Sequence, residues 1–281
     1  MTAVDLRPSP IAGTWYDRNP DRLGRQVDEF INSASLPELH GRVVGIMAPH
    51  AGYIYSGPTA GYAFKAVKGH VYATVVVFSP LHVYHPAPLL TSGHQGYETP
   101  LGRILIDQDA IDRVDANLHK TTGVHLTPVL RDPEHSLEIE LPFLQRSLAA
   151  DFQLLPVMVR THSEEILRHL GEIIASIVKD RTCLLVASTD LSHFNPEKIA
   201  KQYDQVMLEN IRNFSPEGAL QAEQNNIGFA CGVGAVAAML WTARSLGADT
   251  VQILHHSTSA DATGDTGSVV GYGAAVILQS K

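Results

Sequence analysis

Thr74-Val75-Val76-Val77-Phe78-Ser79-Pro80-Leu81-His82 decides the fold class. From Thr74 to Phe78 every side chain is β-branched or aromatic, which suits a strand buried on both faces. The strand empties into a proline-stiffened turn that carries a histidine. The same arrangement recurs upstream, where Val43 to Met47 runs into Ala48-Pro49-His50-Ala51-Gly52-Tyr53. It recurs downstream, where Thr182 to Ala187 runs into Ser188-Thr189-Asp190-Leu191-Ser192-His193. Phe152 to Val159, Val251 to Leu254 and Val269 to Leu278 complete the expected strands, and Leu89-Leu90 reads as a loop or an edge strand.

Helical spacing fills the intervals. Asn19-Pro20 opens a helix carrying Leu23, Val27, Phe30 and Ile31 on one face. A second helix is expected to start near Pro58 and run through Tyr62, Phe64 and Val67. Asp107 caps a helix reaching Leu118. Glu134 to Leu148 looks helical, with Pro142 either kinking it or beginning a new helix. Ser163 caps a helix bearing Ile166, Leu167, Leu170, Ile173, Ile174 and Ile177, and Asn195-Pro196 and Ser215-Pro216 open two more. Cys231 to Leu246 is a helix ending at Gly247. Alternating apolar strands and helices describe an α/β three-layer sandwich, with a mostly parallel central sheet flanked by helices. No linker or repeat divides the chain, so residues 1–281 are expected to form a single domain.

Composition narrows the function. The 281 residues carry a formal charge of -8, with 44% hydrophobic and 18% charged residues. Nucleic acid rewards clustered Lys and Arg through counterion release, so it is not an expected partner. No apolar run approaches the ~18 residues of a membrane helix. Met1 to Pro10 lacks the cationic start and apolar stretch of a secretory signal. Two cysteines, Cys183 and Cys231, make a disulfide framework implausible. A cytoplasmic location is expected.

In open α/β sheets ligands bind beyond the carboxyl ends of the strands. His50, His82 and His193 share that address on three separate strands, which selects them from 14 histidines. Cys231, between Ala230 and Gly232, stands at an expected helix start, where the dipole favours thiolate, the form that binds metal or attacks carbon. Cys183 lies within a strand and reads as a small buried apolar residue. Asp190 and His193, at i and i+3, could pair so that the carboxylate orients a general acid or base, or Asp190 could merely cap a turn. Glu134, His135, Glu138 and Glu140 form a second polar cluster. It reads as a solvated helix face, from which His135 and Glu138 could support the metal ligands. His255-His256 is a spare ligand candidate. His85 reads as a loop residue, and His40, His70, His94, His119, His162 and His169 as surface residues. Asp261 and Asp265 lie in a Gly/Thr/Asp loop that could meet a metal or phosphate, but its glycine spacing is not that of a P-loop.

With these residues in place, the sequence resembles the Memo family, protein B of the AmmeMemoRadiSam group. The resemblance covers nearly the whole chain. It is carried by Gly13-Thr14-Trp15-Tyr16, Ala48 to Tyr53 with Tyr55-Ser56-Gly57, and Glu134-His135-Ser136-Leu137-Glu138 with Leu141-Pro142-Phe143-Leu144. Ser188 to His193, Ala230-Cys231-Gly232, and Thr258-Ser259 through Gly264-Asp265 to Val270-Gly271-Tyr272 continue it. The resemblance implies a fold similar to the class III extradiol dioxygenases. It also implies metal ligands at His50 and His82, Cys231 in place of a carboxylate, and His193 as acid/base. Two departures bear on that transfer. The family's Gly-Pro-Ser-His is Ser79-Pro80-Leu81-His82 here, and a thiolate in place of a carboxylate shifts metal preference.

The expected protein therefore holds one metal ion, iron(II) or copper, with zinc a further candidate, on His50, His82 and Cys231. The expected activity is metal-dependent oxidoreductase chemistry on an unknown small-molecule substrate, with His193 and Asp190 moving protons. Two other readings stay open. One is a hydrolase or transferase with Cys231 as nucleophile. The other is a non-enzymatic adaptor that binds partner proteins or peptides through the same pocket. The resemblance further implies a functional link to a radical SAM protein and an AMMECR-type protein.

Overall fold

The structure is a computed structural model and describes residues 4–280; the first three residues of the Met1 to Pro10 stretch, and Lys281, lie outside the described residues. In chain order, the first part contains β1 (Leu6–Arg7), α1 (Pro20–Ser33), β2 (Arg42–Ala48), α2 (Tyr53–Lys65) and β3 (Thr74–Pro80). Next come β4 (Leu89–Ser92), β5 (Gly96–Thr99), β6 (Gly102–Leu105), α3 (Gln108–Thr122) and β7 (Thr127–Val129). A 3-10 turn at Glu138–Glu140 leads into α4 (Leu141–Ser147), β8 (Gln153–Val159), α5 (Glu164–Val178), β9 (Cys183–Ser188) and β10 (His193–Asn195). The last part holds α6 (Glu197–Arg212), α7 (Pro216–Gln224), α8 (Val233–Ser245), β11 (Thr250–Thr258), α9 (Ala260–Thr263) and β12 (Val269–Gln279).

The main sheet has nine strands in the order β10-β12-β2-β9-β3-β8-β4-β7, with β11 on the free side of β12. Its centre, β2-β9-β3-β8, is parallel throughout. Antiparallel pairs at β12–β2 and β4–β8 bracket that centre, so the whole sheet is mixed. Helices α1, α2 and α4 pack together on one face, while α5 and α8 with α3 and α7 cover the other, giving the expected three layers. Central strands are buried on both faces, as their unbroken apolar runs require. The parallel register brings Ala48 opposite Ser188 and Phe78 opposite Ala187, so the chain leaves β2, β3 and β9 at one common edge.

Three local readings are corrected. Helix α2 starts at Tyr53, not near Pro58, which lies inside the helix and lacks the N–H for the Ile54 carbonyl. Glu134 to Leu148 is not one helix. The Glu134 carboxylate accepts the N–H groups of His135 and Ser136, both at 2.9 Å, which pins a loop, and Pro142 stands in the first turn of a new helix, α4. Asn195 does not cap α6. Its side chain donates to the His193 carbonyl at 2.9 Å, and Pro196 takes the capping position instead.

No helix among the described residues is long and apolar enough to cross a membrane.

Candidate metal centre

His50 follows β2 and His82 follows β3, and the loop after β7 delivers His135 to the same place. The ligand atoms of these three residues lie within 4.8 Å of one another, a group that could hold a metal ion. His82 and His135 are stacked with ring centroids 4.8 Å apart. The His50 ring stands edge-on to both, at 5.3 and 5.4 Å.

Each ring is held through Nδ1. His50 Nδ1 lies 3.0 Å from Ser188 Oγ. His82 Nδ1 lies 2.9 Å from Glu134 Oε1, and His135 Nδ1 lies 3.3 Å from the same oxygen. With three Nδ1 atoms engaged on the protein side, the Nε2 atoms remain for an ion, the arrangement in which outer partners fix ring orientation and tautomer. A donor set of neutral-capable imidazoles with oriented rings fits iron, copper or zinc.

The charges agree with this division. Burial and the neighbouring His135 and His82 hold His50 well below the usual imidazole range. Burial also lowers His82, but the Glu134 hydrogen bond and charge outweigh it and raise its pKa overall. Burial brings His135 down to about 4, with Glu134 opposing. Burial likewise works against the Glu134 carboxylate, and its bonds to His82 and Ser136 overcome that and keep it ionised.

Cys231 is not one of the three, but its Sγ lies 3.1 Å from His50 Nε2. The Asp190 N–H points at the sulfur from 3.3 Å. Gly232 makes this approach feasible, because a Cβ there would sit 2.5 Å from the Ser188 carbonyl oxygen. The expectation of a helix-favoured thiolate is corrected: α8 begins at Val233, and burial, with Asp190 adding, pushes the thiol up. Cys183 is buried, as expected.

Asp190 does not orient His193. Its Oδ1 accepts the backbone N–H of His50 at 2.8 Å, so it shapes the turn that carries a ligand. Burial raises the Asp190 carboxyl to about 7. His193 Nδ1 instead donates to the Leu191 carbonyl at 2.8 Å, which leaves the Nε2 lone pair free. Burial lowers its pKa, which favours the neutral ring. His193 and Cys231 line one cavity of about 310 Å³ with Tyr203, Glu223 and Phe229.

The solvated-face reading of Glu134, Glu138 and Glu140 is overturned, because all three are buried. Glu138 is clamped by Arg7, Tyr16 and Ser9, and Arg7 also pairs with Asp132 at 2.8 Å. This network braces the loop that carries His135. The spare candidates go elsewhere: His256 Nε2 bonds Asp204 at 2.8 Å and His255 stacks on Tyr62. His94, read as a surface residue, is buried and bonds Asp5 at 3.1 Å. Asp265 accepts the Gly267 N–H in its own loop.

A second cleft, of about 500 Å³, is lined by Trp15, Ala51, Gly52, Tyr55, Phe194 and Tyr272 among others. Trp15 packs at a tilt over His135 with ring centroids 4.0 Å apart, Ala51-Gly52 continue from His50, and Phe194 follows His193. Phe194 is 76% exposed at a β-bulge with φ of 59°, an unusual backbone for a bulky residue.

These features define a class: an α/β sandwich with a metal-competent histidine centre at the carboxyl edge of its parallel strands. The chain belongs to the Memo family, whose Memo-like protein model matches residues 7–276. A MEMO1 family protein of Nitrosopumilus maritimus is 31% identical over 273 residues, covering 96% of this chain and 98% of that protein. A MEMO1 family protein of Methanosarcina barkeri is 30% identical over 275 residues, covering 97% and 100%. A crystal structure of an uncharacterized protein from Escherichia coli K12 aligns with 84% of this chain and 100% of its own, with TM-score 0.48 and 11% identity.

Proposed function

We propose that the protein is a metal-dependent oxidoreductase that holds non-haem iron or copper on His50, His82 and Cys231, with His135 as a fourth donor. The observation that carries this reading is the convergence of three imidazoles within 4.8 Å at the strand edge. The thiol 3.1 Å from His50 Nε2 supplies the soft donor. A redox-active ion bound there would supply one-electron chemistry and Lewis acidity.

The chain's own residues do the rest. Glu134 fixes two rings through one oxygen, and Asp190 fixes the His50 turn. His193, neutral and with Nε2 free, accepts or returns a substrate proton beside Cys231. The aromatic cleft next to His135 and His50 receives a small-molecule substrate and keeps water from it. A Cys231 nucleophile would find its base in His50, not His193, and burial that holds the thiol protonated disfavours that use.

Metal content by mass spectrometry tests the reading, on tag-free protein purified without oxygen or chelators. One equivalent of iron or copper in the parent, lost in His50→Ala, His82→Ala and Cys231→Ala, is expected. Loaded protein should change redox state with dioxygen or a reductant. A folded parent that takes up no metal, or takes it up without redox change, would sink the proposal.

A further inference from the structure

Ser188 Oγ, fully buried at the end of β9, has three close polar neighbours. They are the Ser136 carbonyl at 2.6 Å, Glu140 Oε1 at 2.6 Å and His50 Nδ1 at 3.0 Å. A serine hydroxyl has one hydrogen to give and two lone pairs to receive with. The Ser136 carbonyl can only accept, so the serine hydrogen belongs there. Both remaining neighbours must then donate. For His50 that means a hydrogen on Nδ1. For Glu140 it means a hydrogen on the carboxyl itself. If the serine hydrogen pointed at Glu140 instead, two bare acceptors would face each other at 2.6 Å across the Ser136 contact.

The other oxygen of Glu140 points the same way. Oε2 is buried and has no hydrogen-bond partner among the described residues. A buried ionised carboxylate with one oxygen unpartnered by protein is far costlier than a neutral acid whose carbonyl is left bare. Burial, against the Ser188 bond and with Asp190 nearby, holds this carboxyl well above the ordinary range.

We infer that Glu140 is a permanently protonated carboxylic acid that donates to Ser188 and thereby fixes the Nδ1–H tautomer of His50, turning the Nε2 lone pair toward the metal. Glu140 is thus a positioning residue two links behind a ligand. The chain Glu140–Ser188–His50 ends at Cys231, 3.1 Å beyond His50 Nε2. The affinity arm of the test below rests on the metal reading, but the vibrational arm does not.

Glutamine keeps a donor toward Ser188 and a bare carbonyl, so Glu140→Gln copies the neutral acid. Leucine has similar bulk and no donor. In metal-free protein near neutral pH, the infrared difference between parent and Glu140→Gln should contain a carboxylic-acid C=O band that shifts in deuterium oxide. Zinc affinity by competition with a chromophoric chelator should stay within about threefold in Glu140→Gln, and fall about 10- to 100-fold in Glu140→Leu and Ser188→Ala. Ser188→Ala carries the affinity arm if the leucine variant fails to fold. A missing acid band would overturn the inference, as would a carboxylate band lost in its place. Equal weakening by Gln and Leu would do the same, since it would mean the charge was what mattered. An acid band in protein that binds neither zinc nor iron nor copper would leave the protonated-acid inference standing and remove the metal reading.

Discussion

Glu134 holds His82 at two points, accepting its backbone N–H and its ring Nδ1, the latter at 2.9 Å. The same oxygen lies 3.3 Å from the ring of His135. One buried carboxylate therefore sets the loop after β3, the tautomer of one imidazole and the orientation of another. A single carboxylate thus governs two of the groups that could bind a metal ion.

Glu134→Gln should weaken metal binding about 10- to 100-fold while leaving the ligand residues intact. Chelator competition measures the affinity, and circular dichroism checks that the variant is folded. An unchanged affinity would mean the two rings are oriented by something else.

Metal uptake should release protons, and its pH dependence has a definite sign. His82 titrates above its ordinary 6.5 because of Glu134, so below that raised pKa a proton occupies the ring and competes with the ion. Affinity should therefore fall as pH falls, by about tenfold per unit for each proton displaced. Cys231, protonated when metal-free, adds one released proton at neutral pH if it is a ligand. Calorimetry in two buffers of different ionisation enthalpy should count one proton fewer for Cys231→Ser. An identical count would remove Cys231 from the ligand set.

Asp190 and His193 should separate cleanly under mutation. Asp190→Ala leaves the buried N–H of His50 without its acceptor and should cost on the order of 2 kcal/mol in urea unfolding of the metal-free protein. His193→Ala should cost about 1 kcal/mol or less, since one hydrogen bond to a carbonyl and a ring contact with Phe194 are lost, while abolishing proton transfer in any turnover assay. A His193 variant as unstable as the Asp190 variant would contradict the division of roles.

Phe194 tests whether backbone strain is kept for the cleft. Glycine accepts a φ of 59° without penalty, so Phe194→Gly should gain up to about 1 kcal/mol of stability, read as a higher Tm. The same variant should bind or turn over substrate less well, because the cleft loses an exposed aromatic wall. A loss of stability would show that the ring packs more than its exposure implies.

The strand-end histidines were legible because two signals coincide at His50 and His82: an apolar run wide enough for a doubly covered strand, and a proline immediately after it. His135 lacked both. Its segment, Glu134 to Leu148, carries a helical apolar pattern, and three acidic residues there suggest a wet face. What buries those carboxylates is tertiary: Arg7 and Tyr16 from the chain start for Glu138, His82 for Glu134, Ser188 for Glu140. No window of sequence contains those partners. The pairing of Asp190 with His193 failed for a related reason, since an i, i+3 spacing cannot say that Leu191 will take the ring first. Cys231 is legible as a cysteine at an expected helix start, and only the family resemblance joins it to His50. The thiolate expectation fails because burial outweighs the dipole of a helix that begins two residues later.

The bracing of Glu138 by Arg7 makes the centre vulnerable from an unguarded direction. Trimming by a protease just past Ser9 would spare every imidazole and the thiol. It would also strip the only cation from Asp132 and Glu138 among their described partners, leaving two buried acids without a counter-charge near the loop of His135. An affinity tag is better placed at the other end, away from this tie, where Ser280 bonds Asp249.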